Sequence, residues 1–186
     1  KAANSENLSN DPNIDIKFYH IDIEVSIDTE FISSEVTCLM EITNDYVNSI
    51  QLDLDSALNI FEISSPAENF NFSDNILDIQ LENTYNTGDM LSLSIEYYGV
   101  PTLAGGYKGL RYETHNGDEP IIATLSTPYL AHYWYPCKDG PQDKADSVYI
   151  DITIPNVNYS NIPLMAVSNG VLDEVEVIGN NRKFHW

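Results

Sequence analysis

The stretch NIDIKFYHIDIEVSID, Asn13 to Asp28, alternates apolar and polar residues, and the alternation changes phase midway. Ile14, Ile16 and Phe18 hold even positions, whereas Tyr19, Ile21, Ile23, Val25 and Ile27 hold odd ones. A period of two sends successive side chains to opposite faces of an extended strand. A phase change at Phe18–Tyr19 would throw every later side chain onto the other face. The strand must therefore bulge there or cross from one sheet to another.

The same period runs along most of the chain. EVTCLMEIT alternates through Val36, Cys38, Met40 and Ile42. IQLDLD follows with Ile50, Leu52 and Leu54, which leaves Asp53 and Asp55 expected to face water. LNIFEI, ILDIQLE and MLSLSIEYYG read as further strands, the last two separated by the turn cluster NTYNTGD. SVYIDITIP alternates through Val148, Ile150, Ile152 and Ile154, and VEVIGNNRKFHW reads as a hairpin about Gly179-Asn180-Asn181. No segment sustains a helical period.

Half-buried strands with one polar face predict an all-β fold: an antiparallel β-sandwich, or a large curved sheet backed by a smaller one. Residues 1–13, rich in Asn and Ser, read as a flexible lead-in to one β domain over 14–186.

Twenty-nine acidic residues against eight basic ones give a formal net charge of −21. Such a surface repels phosphate backbones and anionic headgroups, which argues against nucleic-acid binding and electrostatic membrane docking. No apolar run reaches the length of a membrane span. The first residue is not Met, which points to a trimmed or mature secreted chain. Two cysteines make no disulfide framework, and Cys38 reads as a small buried hydrophobe.

Sites of chemistry are sparse. His20, His115, His132 and His185 are far apart in sequence, and neither an HExxH zinc motif nor a DxDxDG calcium loop occurs. Asp139, Asp143 and Asp146 read as solvated loop acids. Cys137 with His132 could form a thiolate–imidazole pair, but a cysteine packed beside aromatics is the stronger reading. Tyr129, Tyr133, Trp134 and Tyr135, with Tyr107 and Tyr112 upstream, could stack on sugar rings. Four aromatics so close together cannot share one strand face, so most are expected to pack inside.

The segment TLSTPYLAHYWYPCKDGPQDKADSVYIDITIP, Thr124 to Pro155, resembles the end of the N-terminal domain of zinc aminopeptidases of the aminopeptidase N family. That family carries TQxExxxARxxFPCxDxPxxKAxF, and Thr124, Ala131, Pro136, Cys137, Asp139, Pro141, Lys144 and Ala145 match it. FYHIDIEVSID, SSEVTCLMEITN, GDMLSLSIEYYGVP and AVSNGVL resemble other family elements in the same order.

The resemblance implies a saddle-shaped β domain preceding a thermolysin-like catalytic domain. That later domain would hold zinc through HExxH and a distant glutamate, so no metal, cofactor or catalytic residue is expected in this chain. Its partners would be its own C-terminal catalytic domain and peptide substrates, in a secreted or periplasmic setting. Thr127, Pro128 and Tyr129 are expected nearest to substrate, and Pro136, Cys137, Asp139, Pro141 and Lys144 are expected to be structural. Leu125 and Thr127 stand where the family has glutamine and glutamate, and His132 where it has arginine. A member with lost peptidase activity, or a stand-alone module binding carbohydrate or protein, is the alternative.

Overall fold

The computed structural model describes residues 8–102, 109–117, 119–126, 129–159 and 161–186. Its strands are β1 (Ile14–Val25), β2 (Ile32–Ile42), β3 (Val47–Asp53), β4 (Leu58–Ile63), β5 (Ala67–Ser73), β6 (Ile76–Tyr85) and β7 (Met90–Gly99). They continue with β8 (Gly109–His115), β9 (Glu119–Leu125), β10 (Ser147–Pro155), β11 (Asn158–Tyr159), β12 (Ile162–Pro163), β13 (Glu174–Ile178) and β14 (Asn181–His185). Among the described residues a 3-10 turn, Ala131–Tyr133, interrupts them. Among the described residues no helix is long and apolar enough to cross a membrane.

Seven strands form the main sheet in the order β13-β14-β10-β1-β2-β7-β4, and β3-β6-β5 form a smaller one. β8 pairs with β9 and β11 with β12 as separate hairpins. The fold is all-β, a large sheet with smaller ones. Within the main sheet one pair, β1 with β10, runs parallel, so that sheet is mixed. Alternation reports which face a side chain takes, not the direction of the neighbouring strand.

The phase change in β1 is a bulge. Against β2, Ile16 pairs with Met40 and Phe18 with Leu39, leaving Lys17 as the extra residue. The insertion cancels the flip, so Ile14, Ile16, Tyr19, Ile21, Ile23 and Val25 all point into the core. Phe18 falls on the other face and is half-buried. Two bonds secure the irregularity: the Asp146 amide donates to the Lys17 carbonyl at 3.0 Å, and the Ile16 amide donates to Asp143 Oδ2 at 3.2 Å.

Val36, Cys38, Met40 and Ile42 of β2, Leu93 and Ile95 of β7, and Ile50, Leu52, Leu77 and Ile79 of the smaller sheet belong to one continuous apolar core. Each such buried side chain stabilises the fold by roughly 1.5–3 kcal/mol relative to leaving it in water. The hairpin reading of the C-terminal segment holds: Ile178 pairs with Asn181 across Gly179-Asn180, and Gly179 adopts φ +59°.

Candidate functional site

The segment between β9 and β10 is held by buried polar contacts. Its centre is Asp139. Oδ2 accepts from the His132 amide at 3.1 Å and lies 2.6 Å from His132 Nδ1. Oδ1 accepts from the Tyr129 amide at 3.2 Å, and the Asp139 amide donates to Asp53 Oδ2 at 3.0 Å. Asp53 Oδ1 also accepts from the Ser9 amide at 2.6 Å. The lead-in is thus joined to the loop through two buried acids. Asp11 ties it again, accepting from the amides of Asn13 and Gln51 at 2.9 and 2.8 Å.

Asp53 and Asp55 were expected to face water, and both are buried. The segment after β9 covers the outer side of the β3 end, forming an isolated antiparallel bridge between Asp53 and Cys137. The Asp53 amide donates to the Cys137 carbonyl at 2.7 Å, the reciprocal bond is 3.0 Å, and the Asp55 amide donates to the His132 carbonyl at 2.8 Å. Asp55 itself accepts from the amides of Ala57 and Thr102. Each carboxylate replaces its lost water with backbone donors. Burial raises the Asp53 carboxyl above its ordinary range, against the opposing pull of the amides of Ser9 and Asp139.

The loop acids need the same correction. Asp139 is buried, and Asp143 forms a largely enclosed ion pair with Lys138 at 2.9 Å. Lys138 Nζ also donates to the Ile14 carbonyl at 2.6 Å, and its amide donates to the Tyr19 hydroxyl at 3.0 Å. These acids brace the bulged strand β1. Only Asp146 of the three is exposed.

Cys137 is buried, and its thiol is pushed well up by burial, then by the nearby charges of Asp139 and Asp53. A thiolate nucleophile is disfavoured there. Tyr133 and Trp134 are buried and Tyr135 is half-buried, so they do not form a sugar-stacking surface. Trp134 meets Tyr135 edge-on at 4.5 Å, and the Tyr97 hydroxyl donates to the Trp134 carbonyl at 2.7 Å. Gly109 fits beneath Tyr133, where an added Cβ would lie 2.3 Å from the Tyr133 Cβ.

Of the residues expected nearest to substrate, Thr127 and Pro128 lie outside the described residues, as does the upstream Tyr107. Tyr129 is 46% exposed and takes the left-handed φ of +76°. The described residues on either side of Thr127 and Pro128 are anchored. Tyr129 hangs from Asp139, and the Trp134 indole N–H donates to Ser126 Oγ at 3.0 Å. Pro136, Cys137 and Asp139 are buried, whereas Pro141 and Lys144 are exposed.

Among the described residues no group of three or more His, Cys, Asp or Glu is arranged to hold a metal. His20 and His185, distant in sequence, do meet at Asp151, at 3.2 and 2.8 Å. Lys183 lies 3.4 Å from the same carboxylate and 2.5 Å from Asp22. Burial pushes Asp151 upward, but His20, His185 and Lys183 outweigh it and hold the carboxyl below its ordinary range. This cluster clasps β1, β10 and β14 together.

A mixed sheet with smaller sheets beside it and an internally braced loop make up an all-β domain. The family comparison makes the assignment specific: the chain matches the peptidase M1 N-terminal domain over residues 15–186 and belongs to that family. Among solved structures it is similar to an M1 zinc metallopeptidase from Deinococcus radiodurans, at 17% identity and TM-score 0.79. A mutant of that peptidase bound to a Tyr-Ser-Ala substrate matches at 17% identity and TM-score 0.80. A two-domain M1 zinc metallopeptidase mutant bound to L-arginine matches at 19% identity and TM-score 0.79. Each match covers 94% of this chain and 39% of the other, so the chain spans well under half of these relatives. No curated protein matches the sequence.

Proposed function

We propose that the chain is the non-catalytic N-terminal domain of a zinc aminopeptidase that removes N-terminal amino acids from peptides, and that it shapes the substrate cleft of a catalytic domain following it. The carrying observation is the family match over residues 15–186 in a chain that covers only 39% of its solved relatives. Zinc and the catalytic base then belong to the later domain, and the partners are that domain and peptide substrates. The setting is secreted or periplasmic.

The loop of Ser126 to Tyr129 is the part of this chain we assign to the cleft roof. The described residues on either side support that role: Ser126 accepts from the Trp134 indole N–H, and the Tyr129 amide donates to Asp139. Thr127 lacks the carboxylate that the family glutamate would offer to a substrate ammonium. Amine recognition therefore falls on acids of the catalytic domain. The same substitution favours a second reading, a member whose peptidase activity has been lost. The coding sequence beyond Trp186 separates them: HExxH with a further glutamate supports the enzyme, and its absence overturns it.

A further inference from the structure

We propose that the outer face of the main sheet, at its β4 edge, is a docking surface for an arginine- and lysine-rich segment of another protein. The peptidase reading above gives this face no role.

Val36 of β2 and Ile95 and Tyr97 of β7 point into the core, so the residues between them point the other way. Tyr98 lies on that outer face, and its ring stacks on Phe31 at 6.0 Å with 30° between the planes. Phe61 is the extra residue of a bulge in β4, where Ile60 pairs with Tyr97 and Glu62 with Glu96. All three rings reach solvent, Phe61 at 68% exposure. β4 ends the sheet, and among the described residues no strand pairs with its far side. Aromatic side chains grouped on an open sheet face mark an interaction surface rather than scattered surface residues.

Charge chooses the occupant. Glu96 stands opposite Glu35 of β2 on one side and Glu62 of β4 on the other, and all three are exposed. Like charges directly opposed across strands destabilise a sheet. The lysines of β1 and β14 are engaged elsewhere, Lys17 with Asp15 and Glu41, Lys183 with Asp22 and Asp151. Among the described residues no cation pairs with the three glutamates. An unrelieved cost that the fold does not need is expected at a functional surface. Carboxylates beside open aromatic faces complement guanidinium and ammonium groups, through charge-assisted hydrogen bonds and cation–π contact. A second copy, itself at net charge −21, is repelled.

Labelled octa-arginine, N-acetylated and C-amidated, titrated into the full-length protein at physiological salt tests this by fluorescence anisotropy. Glu35→Gln, Glu62→Gln and Glu96→Gln together should weaken binding about tenfold. Glu68→Gln, Asp74→Asn and Glu82→Gln remove the same charge from exposed positions around the smaller sheet and should weaken it by less than about twofold. Phe61→Leu and Tyr98→Leu exchange a ring for an aliphatic at constant charge and should each cost about threefold. The triple variant of the face should melt no lower than the parent, because it relieves opposed charges. Equal losses in the two triple variants would overturn the proposal, since only diffuse attraction would then remain. So would leucine variants that bind like the parent, which would leave an acidic cluster without an aromatic platform. A lower melting temperature in the triple variant of the face would show that these acids serve the fold, and a dimer lost with the same substitutions would make a second copy the occupant. Either result also overturns it.

Discussion

Asp139 Oδ2 lies 2.6 Å from His132 Nδ1 inside a backbone loop that the same carboxylate closes. With its other oxygen on the Tyr129 amide and its own amide on Asp53, one acid sets the path of the chain from the exposed Tyr129 back into the core.

Asp139→Ala removes the acceptor for three donor groups at once. Buried donors left without partners cost about 1–3 kcal/mol each, so we expect a loss of about 3 kcal/mol or more in chemical denaturation. Asp139→Asn, which keeps the shape and part of the accepting capacity, should lose less. Equal stability of Asp139→Ala and the parent would show that the loop is held by other means.

Gly109→Ala should destabilise for two separate reasons. Gly109 sits at φ +62°, where an L side chain costs about 1–2 kcal/mol. The new methyl would also meet Tyr133, and overpacking of this kind adds about 1–3 kcal/mol. Gly117→Ala, whose Cβ would have open space, should suffer only the backbone part. A thermal melt of the two variants reads the difference.

The raised carboxyl of Asp53 has a definite sign. A group that binds its proton more tightly when folded contributes stability that is present below its unfolded range and lost as pH rises through its folded one. Asp53→Asn cannot ionise, so its stability relative to the parent should improve as pH rises from the acid range. A difference that stays flat with pH would mean that Asp53 is not perturbed in the folded protein.

Much of the sheet was legible because period two survives wherever one face is buried. β2 shows this plainly, with Val36, Cys38, Met40 and Ile42 inside and the residues between them more exposed. Even the β1 bulge was visible as a phase change. The network of Asp53, Asp55, Asp139 and Asp143 was not, because its burial depends on a distant segment crossing the end of β3. Alternation assigns Asp53 to the outer face correctly, yet cannot say that Cys137 covers that face. β5 and β8 escape because polar residues hold most of their positions and leave a weak apolar stripe, and β9 because Pro120 to Ala123 run without alternation. The Thr124–Pro155 resemblance pointed to Asp139 and Cys137 by motif, without revealing their bonds.

Thr127→Glu in the full-length protein would restore the carboxylate of the family pattern. A charge-assisted hydrogen bond to an ammonium contributes roughly 1.5–3 kcal/mol, so free-amine ligands should bind about 10–100-fold more tightly. N-acetylated ligands should show no gain. Unchanged affinity for the free amine would place the loop away from the substrate terminus.

The most direct measurement of the central claim is release of the chromophore from aminoacyl-naphthylamides by the full-length protein, with and without a metal chelator, beside the chain ending at Trp186. Release by the full-length protein alone, abolished by chelator and restored by zinc, is the predicted result. Absence of chelator-sensitive release from the full-length protein would contradict it.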